Sequence, residues 1–400
     1  MGVPCGRHAC RRARLTAMSR RSLHFPAPDA ATLRARIDRA RSATADAATD
    51  ALLIGPGSDL RYVIGQAGGS FERLSVLLVP ATDAAPTLVV PALEAPGFAD
   101  VPTGELGVEV VTWVDGEDPY RIVADRLGNP GRVAVSDTMA ALHVLRLRDA
   151  MAGAEQTLAG PVLRHLRMCK DAAELAALRR AAEAIDRVHA RIGEWLRPGR
   201  TEAEVGADIA EAIVEEGHTH ADFVIVGSGP NGASPHHDVS DRVIEKGDVV
   251  VVDIGGPIPE GYNSDSTRTY VLGQPDPKVA EEYAVLQRAQ ETAVRAVRPG
   301  VTAHEVDAAA RDILTEAGLG ELFIHRTGHG IGLDVHEDPY IVSGNDLPLQ
   351  PGMVFSIEPG IYRAGQWGAR IEDIVVVTAD GVEPLNTRPH DLTVLPDDDA

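Results

Sequence analysis

Two stretches of this chain align with each other without a gap: RPGRTEAEVGADIAEAIVEEG at 197–217 and RPGVTAHEVDAAARDILTEAG at 298–318. Each opens on Pro-Gly and a capping box, Thr201 with Glu204 and Thr302 with Glu305, and each runs as a helix to a terminal Gly. The correspondence continues past the helices. FVIVGSG precedes His236 as FIHRTGHG precedes His336, and GDVVVVDIG parallels GMVFSIEPG, which sets Asp253 against Glu358. Asp265 and Glu372 then fall at similar places in the next strands. Such a duplication predicts two βαβ-like halves about a pseudo-twofold axis. Helices would cover one face of the sheet, and a site on the other face would receive two carboxylates and an extra histidine from each copy.

The frames around those carboxylates are short and largely apolar. They read GDVVVVDIGG (Asp253), GYNSDSTRTY (Asp265), HRTGHGIGLDVHEDP (His329), GMVFSIEPGIY (Glu358) and GARIEDIVVV (Glu372). A buried acid without a partner is costly, so each must be paired, hydrogen-bonded or metal-bound. Four carboxylates and one imidazole point to one shared site whose negative charge two divalent cations would cancel. Without cations the carboxylates would repel, and some would hold protons.

Composition bounds the rest. A chain of 400 residues with 44% hydrophobic content allows two or three domains and a large core. Its net charge of −21 argues against a nucleic-acid partner. No stretch approaches the ~20 apolar residues that cross a bilayer. Residues 1–22 carry six arginines and no acid but lack the apolar core of a secretory signal. They read as a disordered basic extension, with Met18 as an alternative start and an amphipathic targeting peptide as a further alternative. Cys5 and Cys10 lie in that extension, leaving Cys169 alone in the globular part, which argues for a reducing cytoplasm. No His-containing frame surrounds Cys169, so it is not read as a nucleophile.

Residues 23–165 read as an α/β domain and 166–400 as the duplicated one, an α/β (α+β) protein overall. Ala31–Ala43 is helical; DALLIG, SDLRYVIG, LSVLLVPA, TLVVPAL, GVEVVTWV and RVAVSD read as strands, with helices at Pro119–Leu127 and Met139–Ala152. No ligand cluster occurs here, and His143 and Trp113 read as packing groups. A long amphipathic helix follows, Asp171–Leu196. GSGPNG (227–232) mimics a dinucleotide fingerprint, but the Pro235 segment after it is no helix, so nucleotide binding is rejected.

These frames resemble the prolidase/aminopeptidase P family of pita-bread metallopeptidases, over roughly 160–390, with DIGG…GYNSDSTRTY, HRTGHGIGLDVHEDP, SIEPGIY and RIED standing where that family places them. The N-terminal half is similar, more loosely, to a creatinase-type domain through SDLRYVIG and FERLSVLLVP. The resemblance implies that Asp253, Asp265, His329, Glu358 and Glu372 bind two metal ions. Asp265 and Glu372 would bridge them, Asp253 would complete one site, and His329 with Glu358 the other. It implies substrate-facing roles for His236 and His336, a carboxylate-orienting role for Arg370, and a homodimer. His237 is read as a solvated neighbour and His325 as packing beside the site without a metal. In two places the sequence departs from the family pattern. The Asp253–Asp265 spacing is one residue longer than usual, which is assigned to the Pro257–Pro259 loop. Tyr340 stands where several prolidases carry an arginine that helps hold a dipeptide's carboxylate, which puts strict dipeptide specificity in question.

Oxygen-rich ligation with one imidazole favours Mn2+, with Co2+, Zn2+ or Fe2+ as alternatives to it. The expected chemistry is attack of a hydroxide shared by the cations on the carbonyl before proline, with Glu358 moving the proton and His336 and His236 polarising the carbonyl and holding substrate. The expected activity is that of an Xaa-Pro dipeptidase acting on small peptides. The rivals are an aminopeptidase P acting on longer peptides, a metal-free creatinase-like hydrolase, and a catalytically silent binding module.

Overall fold

The computed structural model describes residues 28–69 and 72–397, so the basic stretch at 1–22 lies outside the described residues, with Cys5 and Cys10. The first layer is a six-stranded mixed sheet of β1 (Ala51–Ile54), β2 (Val76–Pro80), β3 (Thr87–Pro91), β4 (Glu109–Trp113), β5 (Arg132–Val135) and β6 (Glu155–Leu158), ordered β4-β3-β2-β1-β5-β6. β1 pairs antiparallel with β2 and parallel with β5. Helices α1 (Ala30–Asp46), α2 (Ser58–Ile64), α3 (Thr103–Leu106), α4 (Pro119–Leu127), α5 (Ala141–Ala150) and α6 (Gly160–Met168) surround it. Trp113 gives its indole N–H to the Leu74 carbonyl at 3.0 Å and His143 sits 2.9 Å from the Tyr120 hydroxyl, both as packing groups.

One expected strand is a helix. SDLRYVIG forms α2, bounded by Gly57 (φ +140°) and by Gly65, which caps it in the left-handed region. Leu60, Val63 and Ile64 are buried at helical spacing against the α1 side of the core. Tertiary packing here overrides the strand preference of the β-branched pair. β6 was not anticipated: Glu155–Leu158 has an exposed and half-buried pattern, so it lacks the apolar run that marks a strand.

The second half of the chain is duplicated as expected. Its first copy has α7 (Ala172–Ala190), α8 (Glu202–Glu215), β7 (Phe223–Ser228), β8 (Val249–Pro257) and β9 (Asn263–Leu272). The second has α9 (Pro277–Ala296), α10 (Ala303–Glu316), β10 (Gly328–Gly330), β11 (Glu337–Ile341), β12 (Val354–Ile357) and β15 (Asp373–Val377). A hairpin, β13 (Gly360–Arg363) with β14 (Trp367–Arg370), precedes β15; β16 (Val382–Pro384) and β17 (Thr393–Leu395) close the sheets. Asp171, Thr201 and Thr302 each close a capping box, with Glu174, Glu204 and Glu305. α7 stops at Ala190 and gives way to a 3-10 turn over Ile192–Glu194, short of the expected Leu196, because Gly193 interrupts helix propagation. The copies diverge in their strands: β11 and the β13–β14 hairpin have no counterpart in the first copy. FVIVGSG is a six-residue strand, whereas of FIHRTGHG only Gly328–Gly330 is paired.

Helices cover one face of each sheet. Ile185, Val188, Val205, Ile209 and Ile213 pack on Val250, Val252 and Tyr270 in the first copy, and Leu286, Val306 and Leu314 pack with Phe355, Ile357 and Val375 in the second. The opposite faces meet around the charged residues.

Candidate metal centre

Strand alternation puts the acids where the duplication predicts. On β8, Val250, Val252 and Ile254 point into the helical core, so Asp253 faces away from it. The ladder sets Asp253 opposite Thr267 and Gly255 opposite Asp265, so Asp253, Asp265, Thr267 and Thr269 share one face. That ladder runs unbroken to Pro257 opposite Asn263, which leaves any extra residue between the two acids in the 258–262 turn. In the second copy Phe355 and Ile357 face the helices, while Ser356 and Glu358 face the acids. Ile357 pairs with Asp373, so Glu358 and Glu372 flank the end of that ladder. The Glu372 N–H donates to the Thr267 carbonyl at 3.1 Å and joins the two halves at the site.

All five expected ligands converge. The ligand atoms of Asp253, Asp265 and Glu372 lie within 4.8 Å of one another; so do those of His329, Glu358 and Glu372, and those of Asp265, His329 and His336. His329 Nε2 is 3.2 Å from Glu358 and 3.6 Å from Asp265. Its Nδ1 faces the Gly330 carbonyl at 3.1 Å, which fixes the proton there and leaves Nε2 free to ligate.

The electrostatics are those of a cation site. Burial, then the charge of Glu358, holds Asp253 above the ordinary carboxylate range, with Arg370 opposing. Burial and then the neighbouring acids push Asp265 and Glu372 well above it. Glu358 goes the other way: burial is the largest effect and raises it, but the contact with His329 and the charges of His329, His325 and Arg370 together outweigh it and hold it at about 2. Two carboxylate oxygens, Asp253 Oδ1 and Glu372 Oε1, are buried and lack any hydrogen-bond partner. Orphaned anionic oxygens facing other carboxylates are unfavourable unless cations sit among them. The donor set of four carboxylates and one imidazole therefore fits divalent metal ions.

Arg370 is buried at 2% exposure and is no surface ion pair. It donates to Asp253 Oδ2 at 2.5 Å, to Thr267 Oγ1 at 3.1 Å and to the Tyr362 hydroxyl at 2.8 Å. Thr267 in turn donates to Glu372 at 2.7 Å, and Ser356 to Glu358 at 3.1 Å. His325 has its Nδ1 2.7 Å from the Arg326 carbonyl, so its Nε2 accepts from Tyr362 at 2.9 Å. This places His325 beside the site, in none of the metal-binding groups. His336 stands at 4.0 Å ring to ring from His329, and burial first, then His329, pushes its imidazole down to about 4. His236 is exposed, close enough for its charge to act on His325 and His336.

His237 differs from its expected role as a solvated neighbour. Its Nε2 lies 2.8 Å from Glu202, a fully buried carboxylate at the start of α8 that also accepts from Ser228, Asn231 and Ser240. That network ties down the loop carrying His236. GSGPNG opens no α-helix; it turns through a 3-10 segment at Gly229–Ala233, where Gly232 and Gly368 pack so tightly that a Cβ on Gly368 would collide with the Gly232 carbonyl. Those glycines serve close backbone packing, not phosphate.

Comparison with known proteins agrees with this geometry. The profile of "Metallopeptidase family M24" matches residues 176–379, and that of "Creatinase/Prolidase N-terminal domain" matches 36–169. The chain belongs to the M24 metallopeptidase family. It is 59% identical over 369 residues to a probable dipeptidase PepE of Mycobacterium tuberculosis, covering 92% of this chain and 98% of that one. It is 37% identical to an Xaa-Pro dipeptidase of Lactobacillus helveticus, over 90% of this chain and 99% of the other. The crystal structure of dipeptidase PepE from Mycobacterium ulcerans superposes with a TM-score of 0.91 at 59% identity, over 93% of this chain and 100% of that one. An X-Pro aminopeptidase from Thermotoga maritima superposes at 0.77 and 31% identity, over 90% and 99%. The fold is thus a creatinase-type α/β domain followed by a pita-bread domain, and the M24 membership makes this protein a metallopeptidase.

Proposed function

We propose that the chain hydrolyses the bond between an N-terminal residue and proline, with dipeptides as the preferred substrates. The convergence of five ligating side chains from both copies of the repeat carries this reading. Asp265 and Glu372 would be shared between two divalent cations, Asp253 would complete one site, and His329 with Glu358 the other. The oxygen-rich donor set favours Mn2+. When bound, the cations would polarise the carbonyl and lower the pKa of a water.

The chain's own groups supply the rest. Arg370 and Thr267 hold Asp253 and Glu372 in place. Glu358, whose low pKa keeps it ionised, accepts a proton from the attacking water and passes it to the leaving imino nitrogen. His336, neutral above about pH 4, offers an N–H to the developing oxyanion, and His236 faces the substrate from the exposed side. The bond before proline is a tertiary amide without an N–H, so a site acting on the carbonyl side suits it. A homodimer in the cytoplasm completes the reading. Among the described residues no helix is long and apolar enough to cross a membrane.

The test is hydrolysis of Ala-Pro, Ala-Pro-Gly and longer Xaa-Pro peptides by Mn2+-loaded protein. Ala-Pro is expected to have the highest kcat/KM. A preference for longer peptides moves the chain to the aminopeptidase P side of the family. No hydrolysis with Mn2+ or Co2+ makes it a binding module.

A further inference from the structure

A dipeptide presents its C-terminal carboxylate one residue beyond the scissile carbonyl. An enzyme that prefers dipeptides therefore needs a cation near the metal cluster that no protein carboxylate has already claimed. Most arginines around the cluster are committed. Arg370 is bound to Asp253, Thr267 and Tyr362. Arg268 is bound to Asp373 and to backbone carbonyls, Arg363 to Glu282, and Arg167 to Asp59, Asp334 and Glu337.

Arg326 is not. It stands three residues before His329, and its side chain makes no hydrogen bond or ion pair with any described residue. Its guanidinium carbon instead lies 4.4 Å from the centroid of the Tyr340 ring. Tyr340 pairs directly with His329 across the β10–β11 ladder, and directly opposed residues of an antiparallel pair share a face. The ring therefore stands on the same side as the ligating imidazole and carries the guanidinium with it. The backbone of Arg326 is fixed as well, since its carbonyl accepts from His325, which Tyr362 links to Arg370. A guanidinium stacked on a ring keeps its in-plane N–H groups open, and that fork matches a carboxylate. Tyr340 and His336 also line a cavity of about 330 Å³ between the two domains, with room for a small substrate.

We propose that Arg326, braced on the Tyr340 ring, binds the free C-terminal carboxylate of the Xaa-Pro dipeptide. This deepens the peptidase reading and rests on it. The carboxylate-binding cation missing at position 340 is then supplied from position 326, and the aromatic residue at 340 becomes its platform. Arg164, on α6, is the competing cation: it is exposed and lines the opposite wall of the cavity, but no hydrogen bond or ion pair with a described residue fixes its direction.

The experiment compares Ala-Pro with Ala-Pro amide, whose C-terminus is neutral, on Mn2+-loaded wild type, Arg326→Gln, Arg326→Lys and Arg164→Gln. Arg326→Gln is expected to lose about 100-fold in kcat/KM on Ala-Pro, chiefly through KM, and to match wild type on the amide. Arg326→Lys should recover part of the loss. Equal losses on both substrates would make Arg326 structural, and no loss, or a loss only in Arg164→Gln, would overturn the assignment. If wild type cleaves neither compound, the peptidase reading fails and this inference falls with it.

Discussion

At the scale of single residues, Asp265 is one of three side chains, with Glu372 and His329, that belong to two of the ligating groups: its carboxylate lies with Asp253 and Glu372 and also with His329 and His336. Asp265→Ala removes a donor from both groups. It is expected to bind at least one cation fewer by elemental analysis and to lose turnover by more than about 100-fold. Retention of two ions and full hydrolysis would refute the ligand assignment. The residues proposed as ligands were legible in the sequence because they are acids and an imidazole set in short frames rich in apolar residues and glycines, where chance burial is costly. At Glu372 the adjacent Asp373, equally buried, shows that such a frame does not by itself pick out the acid that faces the site. The supports of these residues were not legible. Thr267, Ser356 and Tyr362 are ordinary neutral side chains whose roles exist only once the two sheets meet. Glu202 carries no signal in the sequence beyond its place as the first residue of α8, and only the fold reveals its carboxylate as fully buried and holding the His236–His237 loop.

At the scale of elements, the duplication was readable because capping boxes and terminal glycines are local signals, set by neighbours three residues apart. A terminal glycine alone was not enough, as at Gly65. The α2 segment carries strand-like Val63 and Ile64 yet is helical because the core takes up its 60/63/64 face. The caps also have energetic weight of their own. Thr302 Oγ1 accepts the Glu305 N–H at 3.1 Å, and Glu305 returns the bond to the Thr302 N–H at 2.7 Å. Thr302→Ala should destabilise the chain by about 1 kcal/mol in urea unfolding while leaving kcat within a factor of two, since α10 lies on the face away from the ligands. Thr201→Ala should behave alike in the first copy, where the matching bond is 3.2 Å. A large kcat loss in either variant would mean that these helices couple to the site more tightly than their place in the fold implies.

At the scale of the whole molecule, the two domains are joined by buried charge, and buried titratable groups set the acid limit of the fold. Arg167 and Lys170 both reach Glu337, next to His336, while Arg167 also holds Asp59 of the first domain. Beneath the duplicated sheet, His189 donates from Nε2 to the Ser266 carbonyl and accepts at Nδ1 from Tyr270, both at 3.0 Å, so it is held neutral. Burial, then the charge of Arg268, pushes His189 down to about 3, and burial pushes His218 down to about 4. The unfolded chain binds protons at these histidines near pH 6.5 and the folded chain does not, so their contribution is full above 6.5 and is lost as pH falls towards the folded values. Each should cost about 1.4 kcal/mol of stability per pH unit across that window. In metal-free protein the raised carboxylates Asp265 and Glu372 act in the opposite sense, gaining protons on folding, so an absolute pH profile mixes the two effects. A comparison between variants separates them. His189→Gln should be less stable than wild type at pH 7, through lost hydrogen bonds, yet its stability should fall less steeply between pH 6 and 4.5, by about 1.4 kcal/mol per unit. The measurement is urea unfolding of both proteins in chelator at several pH values. Parallel profiles would show that His189 is protonated in the folded chain, against the neutral tautomer its two bonds require.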